Sequence, residues 1–177
     1  TGPEPPATGL ELPPLDADAY DWIGSRIYQN ETGGNRDYLT HWNAGEDFPS
    51  LGIGHFIWFP EGVDAPFDEQ FPAMVEFVRR QDPPAPAMPA WLADLEPFAA
   101  PWRSKAEFDA ARSSGEMSEL RDWLDRTRQY QARFIVSTFA QRWRELELPD
   151  RQKPALTGLL QQLVGTPAGL FAVIDYY

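Results

Sequence analysis

The sequence contains no cysteine, only two histidines and few basic residues. The absence of cysteine excludes disulfides, thiol nucleophiles, iron–sulfur clusters and cysteine-based zinc sites. The two histidines, His41 and His55, are few for a metal site, and no further ligand is spaced to complete one. The sequence therefore implies neither a metal nor a cofactor. The lack of cysteine does not fix the cellular compartment, because exported bacterial proteins often lack it as well.

Basic residues are outnumbered, with 15 Lys and Arg against 27 Asp and Glu and a formal net charge of −12. Such a charge repels the phosphate backbone, so we expect no nucleic-acid partner. No apolar run approaches the roughly 18 residues of a membrane span, so we expect no integral membrane segment. The hydrophobic fraction of 42% and charged fraction of 24% are those of a globular protein. The oligomeric state stays open.

The 177 residues fit one domain with a short tail. Five prolines within the first 14 residues predict an extended tail over 1–15, followed by a single domain over 16–177. The chain begins at Thr1 without a basic, apolar leader, so we expect that a signal peptide has been removed or was never present. The last apolar stripe reaches Tyr177 without a stop signal, so either the last helix is short or the polypeptide continues.

Helical periodicity predominates along the chain. A capped apolar stripe predicts a first helix over about 18–31, ended by Gly33 and Gly34. Aromatic and β-branched residues around a turn at Asn43-Ala44-Gly45 predict a small β-hairpin region within 36–60. Further helices are predicted over 68–80, over one long or two joined segments near 120–146, around 156–163, and after Thr166-Pro167. The predicted fold class is mainly α (α+β), with a small β-hairpin wing packed on a helical lobe and a cleft between them.

Glu31 is the strongest candidate for catalysis, because it follows Ile23 and Ile27 at helical spacing. This position places it on the inward stripe, where partial desolvation would raise the pKa of a carboxyl and suit a general acid. The alternative is that Glu31 is a helix-terminal residue that faces water or bonds the glycine turn. Nineteen residues later comes Ser50-Leu51-Gly52-Ile53-Gly54-His55.

The order of helix, Glu31-Thr32-Gly33, hairpin and Ser50–His55 resembles the lysozyme-like superfamily of bacteriophage lysozymes and lytic transglycosylases. Glu31-Thr32-Gly33 looks like the Glu-Ser-Gly element that carries the catalytic acid in transglycosylases. Ser50–His55 looks like the Thr-Ile-Gly-Ile-Gly-His strand of phage lysozymes, whose hydroxyl residue faces the cleft. The resemblance covers about residues 20–60 and implies that Glu31 is the acid and that Ser50 positions water or the Glu31 carboxyl.

The chain departs from that family at the second carboxylate. Phage lysozymes carry an Asp about six residues before the hydroxyl residue, where this chain has Ala44. Glu46 and Asp47 are the nearest candidates for a second carboxylate, and both are also typical of a solvated turn. Without one, a single-acid transglycosylase route would use Glu31 both to protonate the leaving oxygen and to take a proton from the sugar's own hydroxyl.

Substrate binding is assigned to the hairpin region. Trp42 and Trp58 are the preferred sugar contacts, although aromatic rings also fill cores. His55 is expected to be a hydrogen-bond partner near the cleft rather than a base.

The sequence therefore favours an enzyme that cleaves the β-1,4 glycan strand of peptidoglycan, or a related amino-sugar polymer, in the periplasm or outside the cell. The first alternative is a catalytically silent domain of the same fold that binds cell-wall glycan or an envelope protein. The second is an unrelated helical interaction domain.

Overall fold

The computed structural model describes residues 12, 14–146 and 153–176. This part of the chain is mainly helical and contains one small antiparallel sheet, which confirms the predicted mainly α (α+β) class. Most of the predicted proline-rich tail and Tyr177 lie outside the described residues. The helices are α1 (Ala17–Thr32), α2 (Phe71–Arg79), α3 (Ala90–Ala93), α4 (Lys105–Ala110), α5 (Gly115–Arg126), α6 (Arg128–Glu145), α7 (Lys153–Leu163) and α8 (Pro167–Tyr176). The strands are β1 (Thr40–His41), β2 (Ser50–Leu51) and β3 (Phe56–Ile57), and a 3₁₀ helix (Arg36–Leu39) precedes β1.

The first helix begins and ends as its sequence predicts. The Asp16 side chain accepts a 2.8 Å hydrogen bond from the backbone N–H of Ala19, which satisfies one of the free donors of the first turn. At the other end, Gly33 adopts a left-handed conformation, and its N–H donates to the carbonyl of Gln29. The predicted helix over 18–31 is therefore confirmed to within one residue at each end.

Close packing of α1 on α6 forms the centre of the helical part. Gly24 makes this approach possible, because a Cβ at that position would lie 2.9 Å from the carbonyl oxygen of Arg128. The apolar residues of α1 and α6 join a larger core that includes Trp58, Phe71 and Phe108. The shared core fixes the position of the C-terminal end of α1, where Glu31 lies.

The predicted hairpin region forms three strands rather than two. β1 pairs with β2 so that His41 lies opposite Ser50, and β2 pairs with β3 so that Ser50 lies opposite Ile57. After β2 the chain therefore reverses direction in a turn over 52–55. This turn contains the glycine-rich sequence, and the chain then returns as β3, antiparallel to β2.

Two further features of the sequence explain where helices begin and divide. The hydroxyl of Ser104 accepts from the N–H of Glu107, and Glu107 Oε2 accepts from the N–H of Arg103, one residue before the N-cap, so the arrangement is a shifted form of the capping box. The long apolar stripe near 120–146 divides into α5 and α6 at Thr127, a buried residue whose hydroxyl donates to the carbonyl of Trp123. Among the described residues, none of the helices has the length and apolarity that crossing a membrane demands.

Candidate active site at the end of the first helix

Glu31 lies in the last turn of α1, next to the hairpin turn. Its side chain is 45% exposed, so the inward-facing carboxyl keeps access to solvent. The neighbouring Thr32 is buried instead, and its hydroxyl donates a 2.6 Å hydrogen bond to the carbonyl of Tyr28. Thr32 thus secures the helix end, and the Glu31 carboxylate stays accessible to solvent and to a ligand.

The turn that faces Glu31 is held by a buried glutamine. Gly52 has φ +77°, and a Cβ there would lie 2.5 Å from Oε1 of Gln131 on α6. The same Oε1 accepts a 2.9 Å hydrogen bond from the backbone N–H of Ile53. His55, three residues after Gly52, has φ +46° and is the one non-glycine residue with positive φ in the described part of the chain. Glycine and this unusual backbone together close the turn and place His55 beside α1.

The Glu31 and His55 side chains form the central contact of the site. Oε2 of Glu31 lies 3.4 Å from Nδ1 of His55, whose side chain is 31% exposed. Burial lowers the pKa of His55 below its ordinary value of 6.5, and the nearby His41 lowers it further, whereas the Glu31 carboxylate and the Tyr38 backbone raise it. Because burial is the largest of these contributions, the imidazole of His55 is mainly neutral at pH 7.

A line of polar groups extends from this contact along the hairpin. The rings of His55 and His41 are 6.4 Å apart, and Nε2 of His41 lies 2.6 Å from Oδ1 of Asn43. The amide of Asn43 then donates a 2.7 Å hydrogen bond to Oε1 of Glu46. Glu46 is therefore connected to Glu31 through three intervening side chains rather than by direct contact.

Asp47 stands apart from this line of polar groups. It is exposed, and among the described residues it makes no hydrogen bond or ion pair. The arrangement matches the alternative of a solvated turn residue, so the second-carboxylate role of Asp47 gains no support from its surroundings.

The side chain of Glu31 also lines a cavity of about 230 Å³. Gly54 and Phe56 of the hairpin form one side of the cavity, and Phe134 and Ile135 of α6 form another. Arg142, one helical turn beyond Thr138 on α6, also lines the cavity. The predicted opening between a helical part and the hairpin is therefore present, with Glu31 on its wall.

Three other candidates from the sequence lie elsewhere. Ser50 is buried, lies opposite His41 in the sheet, and has no hydrogen bond to Glu31 in the described structure. The structure also corrects the prediction that Trp42 and Trp58 contact sugar, because their relative exposures are 2% and 0%. Trp58 packs against Phe71 with ring centroids 4.7 Å apart, and Trp42 Nε1 donates to the carbonyl of Glu46. Both rings belong to the core.

Tyr38 is an exposed aromatic residue beside His41 that the preferred assignment passed over. Its side chain is 46% exposed, and its ring centroid lies 5.8 Å from that of His41. An accessible ring next to the two histidines is better placed for stacking on a sugar than a buried tryptophan. Gln131 and Arg142 were also missed, since a lone polar residue in an amphipathic helix carries no signal that distinguishes it from a solvated one.

The described residues contain no group of three or more His, Asp or Glu side chains that could hold a metal ion. Comparison of the chain with protein-family models, curated proteins and solved structures finds no match. The candidate site is thus defined by the contact of Glu31 with His55 and by the cavity that Glu31 lines together with α6.

Proposed function

We propose that this protein cleaves the β-1,4 glycan strand of peptidoglycan, or of a related amino-sugar polymer, with Glu31 as general acid. The observation that carries the proposal is the meeting of Glu31 with His55 at the edge of an open cavity. These two residues come from the two segments that resemble the lysozyme-like superfamily. An exported location, periplasmic or extracellular, follows from the substrate.

Glu31 has the access that a general acid requires. Protonated Glu31 would donate to the glycosidic oxygen that leaves when the bond breaks. His55 supports this role in two ways, because a neutral imidazole can donate Nδ1–H to the ionised carboxylate or accept a proton from the acid form. The 3.4 Å separation is longer than a strong hydrogen bond, as is common for catalytic groups without substrate.

The arrangement of carboxylates favours the single-acid route. Inverting hydrolysis needs a second carboxylate roughly 6.5 to 9.5 Å away with room for water, and a retaining nucleophile needs about 5 to 5.5 Å. Among the described residues that line the cavity, Glu31 is the one carboxylate. We therefore propose a lytic transglycosylase reaction, in which Glu31 protonates the leaving oxygen and then accepts a proton from the sugar hydroxyl that attacks the anomeric carbon.

A second candidate function is glycan binding without cleavage. Two observations favour it: the Glu31 side chain is exposed rather than held in an apolar pocket, and the net charge of −12 opposes encounter with an anionic cell wall. Such a domain would retain the cavity and the exposed Tyr38 ring and bind glycan or an envelope protein.

Mass spectrometry of muropeptides released from purified sacculi tests both candidates. We expect the wild-type protein to release fragments with anhydro-muramyl ends and Glu31→Gln to release none. Reducing ends would instead indicate hydrolysis and a second carboxylate. If wild type and Glu31→Gln both stayed bound to sacculi and neither released a fragment, the protein would be a glycan-binding domain rather than an enzyme. Glu76→Gln, an exposed carboxylate on α2, is the matched control and should behave as wild type.

A further inference from the structure

The cavity beside Glu31 combines an apolar wall with one cationic group. Phe134, Ile135 and Phe139 of α6 supply apolar lining, and Ile174 of α8 adds to it. The guanidinium of Arg142 is the cation, and the described lining contains no other basic side chain. A ligand that fills this space should therefore carry both apolar atoms and an anionic group.

The volume of the cavity limits what can occupy it. About 230 Å³ is below the roughly 300 to 1,000 Å³ typical of pockets that enclose a whole small-molecule ligand. The cavity therefore has room for one sugar ring or for a substituent of a glycan, and not for several rings. Because Glu31 lines the same cavity, the substituent would belong to a sugar next to the bond that is cleaved.

Arg142 is available for an incoming anion. Its present partner is Asp68, 2.9 Å away, and the Asp68 side chain is 81% exposed. Ion pairs of this exposed kind contribute little stability and exchange partners at low cost. An arginine also presents a planar set of donors that matches a carboxylate in bidentate fashion.

We propose that this cavity is a subsite for a carboxylate-bearing substituent of the glycan, with Arg142 binding the carboxylate and α6 contacting its apolar carbons. The inference rests on the proposed function and adds a substrate preference to it. Two sources supply this chemistry in peptidoglycan: the lactyl group of a muramic acid without peptide, and a carboxylate of the stem peptide.

Three substrates separate these sources: peptide-free glycan strands, strands that carry stem peptides, and chitooligosaccharides, which have no carboxylate. We expect Arg142→Gln to lower the ratio of kcat/KM on the preferred carboxylated strand to kcat/KM on chitooligosaccharide by at least about tenfold. Arg142→Lys should restore part of that ratio. Arg80→Gln, an exposed arginine paired with Glu76 on α2, is the matched control. An unchanged ratio in Arg142→Gln would overturn the subsite.

Asp68→Asn distinguishes ligand binding from a structural ion pair. If Asp68 competes with the substrate, its removal should tighten binding of carboxylated strands by a few-fold, whereas loss of a structural pair would weaken binding as Arg142→Gln does.

Binding to Glu31→Gln protein, measured by calorimetry, keeps the subsite testable without turnover. Arg142-dependent binding without cleavage by wild type would refute the proposed reaction and retain the subsite. Cleavage without any Arg142-dependent preference would support the proposed reaction and refute the subsite.

Discussion

The backbone N–H of Ile53 donates a 2.9 Å hydrogen bond to Oε1 of Gln131, a side chain with no exposed surface. The amide nitrogen of Gln131 donates in turn to the carbonyl of Leu124 and to the hydroxyl of Thr127. One buried amide thus joins the glycine-rich turn to the α5–α6 junction. Because that turn places His55 against Glu31, the hydrogen bond from Ile53 to Gln131 supports the geometry of the site.

Gln131→Met should lower the free energy of unfolding by about 2 to 4 kcal/mol. Methionine keeps most of the volume but removes the partner of the Ile53 N–H and the amide donor of the Leu124 carbonyl, and a buried polar group left unpaired costs roughly 1 to 3 kcal/mol. The Thr127 hydroxyl keeps its hydrogen bond to the carbonyl of Trp123. Urea titration measures the change. Gln141→Met on the exposed face of α6 is the control, with an expected effect within about 0.5 kcal/mol. Equal effects of the two substitutions would contradict the anchoring role.

Glu31→Gln should reduce glycan cleavage by at least about 10²-fold, which is the lower range of a general-acid contribution. Its effect on stability should be small, because the Glu31 side chain is nearly half exposed and lies near the negative end of α1. Loss of its charge should change stability by less than about 1 kcal/mol. Released muropeptides and thermal melts are the two measurements. A variant that keeps more than a tenth of the wild-type rate would remove Glu31 from the acid role.

The periodicity of α1 predicts where Glu31 lies but not how exposed it is. At 100° per residue, the buried residues from Ile23 to Thr32 span about 180° of the helix surface, and Glu31 lies about 80° from Ile23, within that span. Its direction is therefore inward, as predicted. It is nevertheless exposed because an open cavity, rather than packed side chains, occupies the space in front of it. Periodicity predicts the direction in which a side chain leaves the helix, and tertiary packing decides whether other side chains fill the space in front of it.

The aromatic residues illustrate a second limit of the sequence. The chemistry that lets Trp42 and Trp58 stack on sugars also lets them fill a core, and the local sequence around them does not separate the two uses. The three-stranded sheet was missed for a related reason. Its strands are two residues long, and the turn between β2 and β3 depends on Gln131, which lies 78 residues away from Ile53 in the chain.

Tyr38→Ala should weaken retention of the protein on glycan by about three- to tenfold, if an aromatic contact with a sugar has the energy of ordinary aromatic pairs. The exposed position of Tyr38 predicts little change in stability. Phe67→Ala provides the control, since Phe67 is an exposed ring that packs on Phe48 rather than beside the histidines. Co-sedimentation with sacculi measures retention, and equal losses in the two variants would argue against a specific role for Tyr38.

Trp58→Ala should behave in the opposite way to Tyr38→Ala. Trp58 is fully buried against Phe71 and Phe98, so its truncation should cost about 3 to 5 kcal/mol of stability. Any loss of glycan binding should then follow the loss of folded protein. Urea titration and binding assays on the same samples test this relation. Impaired binding by a Trp58→Ala protein of wild-type stability would restore Trp58 as a sugar contact.

The pH dependence of stability should report the environment of His55. Burial lowers the pKa of His55 in the folded protein below 6.5, with Glu31 on α1 and the Tyr38 backbone opposing that shift and His41 on β1 adding to it. Between the lowered value and 6.5, the unfolded chain binds more protons than the folded one. The free energy of unfolding therefore rises with pH through this window and falls as the solution is acidified below 6.5.

His55→Gln removes the titrating group and with it this part of the pH dependence. We expect the stability of wild type relative to His55→Gln to be greatest near pH 7.5 and to decrease at pH 6.0 and again at pH 5.0. On acidification the unfolded wild type gains a proton at His55 more readily than the folded protein, whose site disfavours the imidazolium, whereas His55→Gln has no titrating group at this position. Urea titrations of both proteins at the three pH values measure the trend. Gln141→Met, which alters no titratable group, should differ from wild type by the same amount at every pH. If the wild type instead gained stability relative to His55→Gln on acidification, the charge attraction of Glu31 would outweigh burial, and His55 would be a cation paired with Glu31 rather than a neutral proton partner for it.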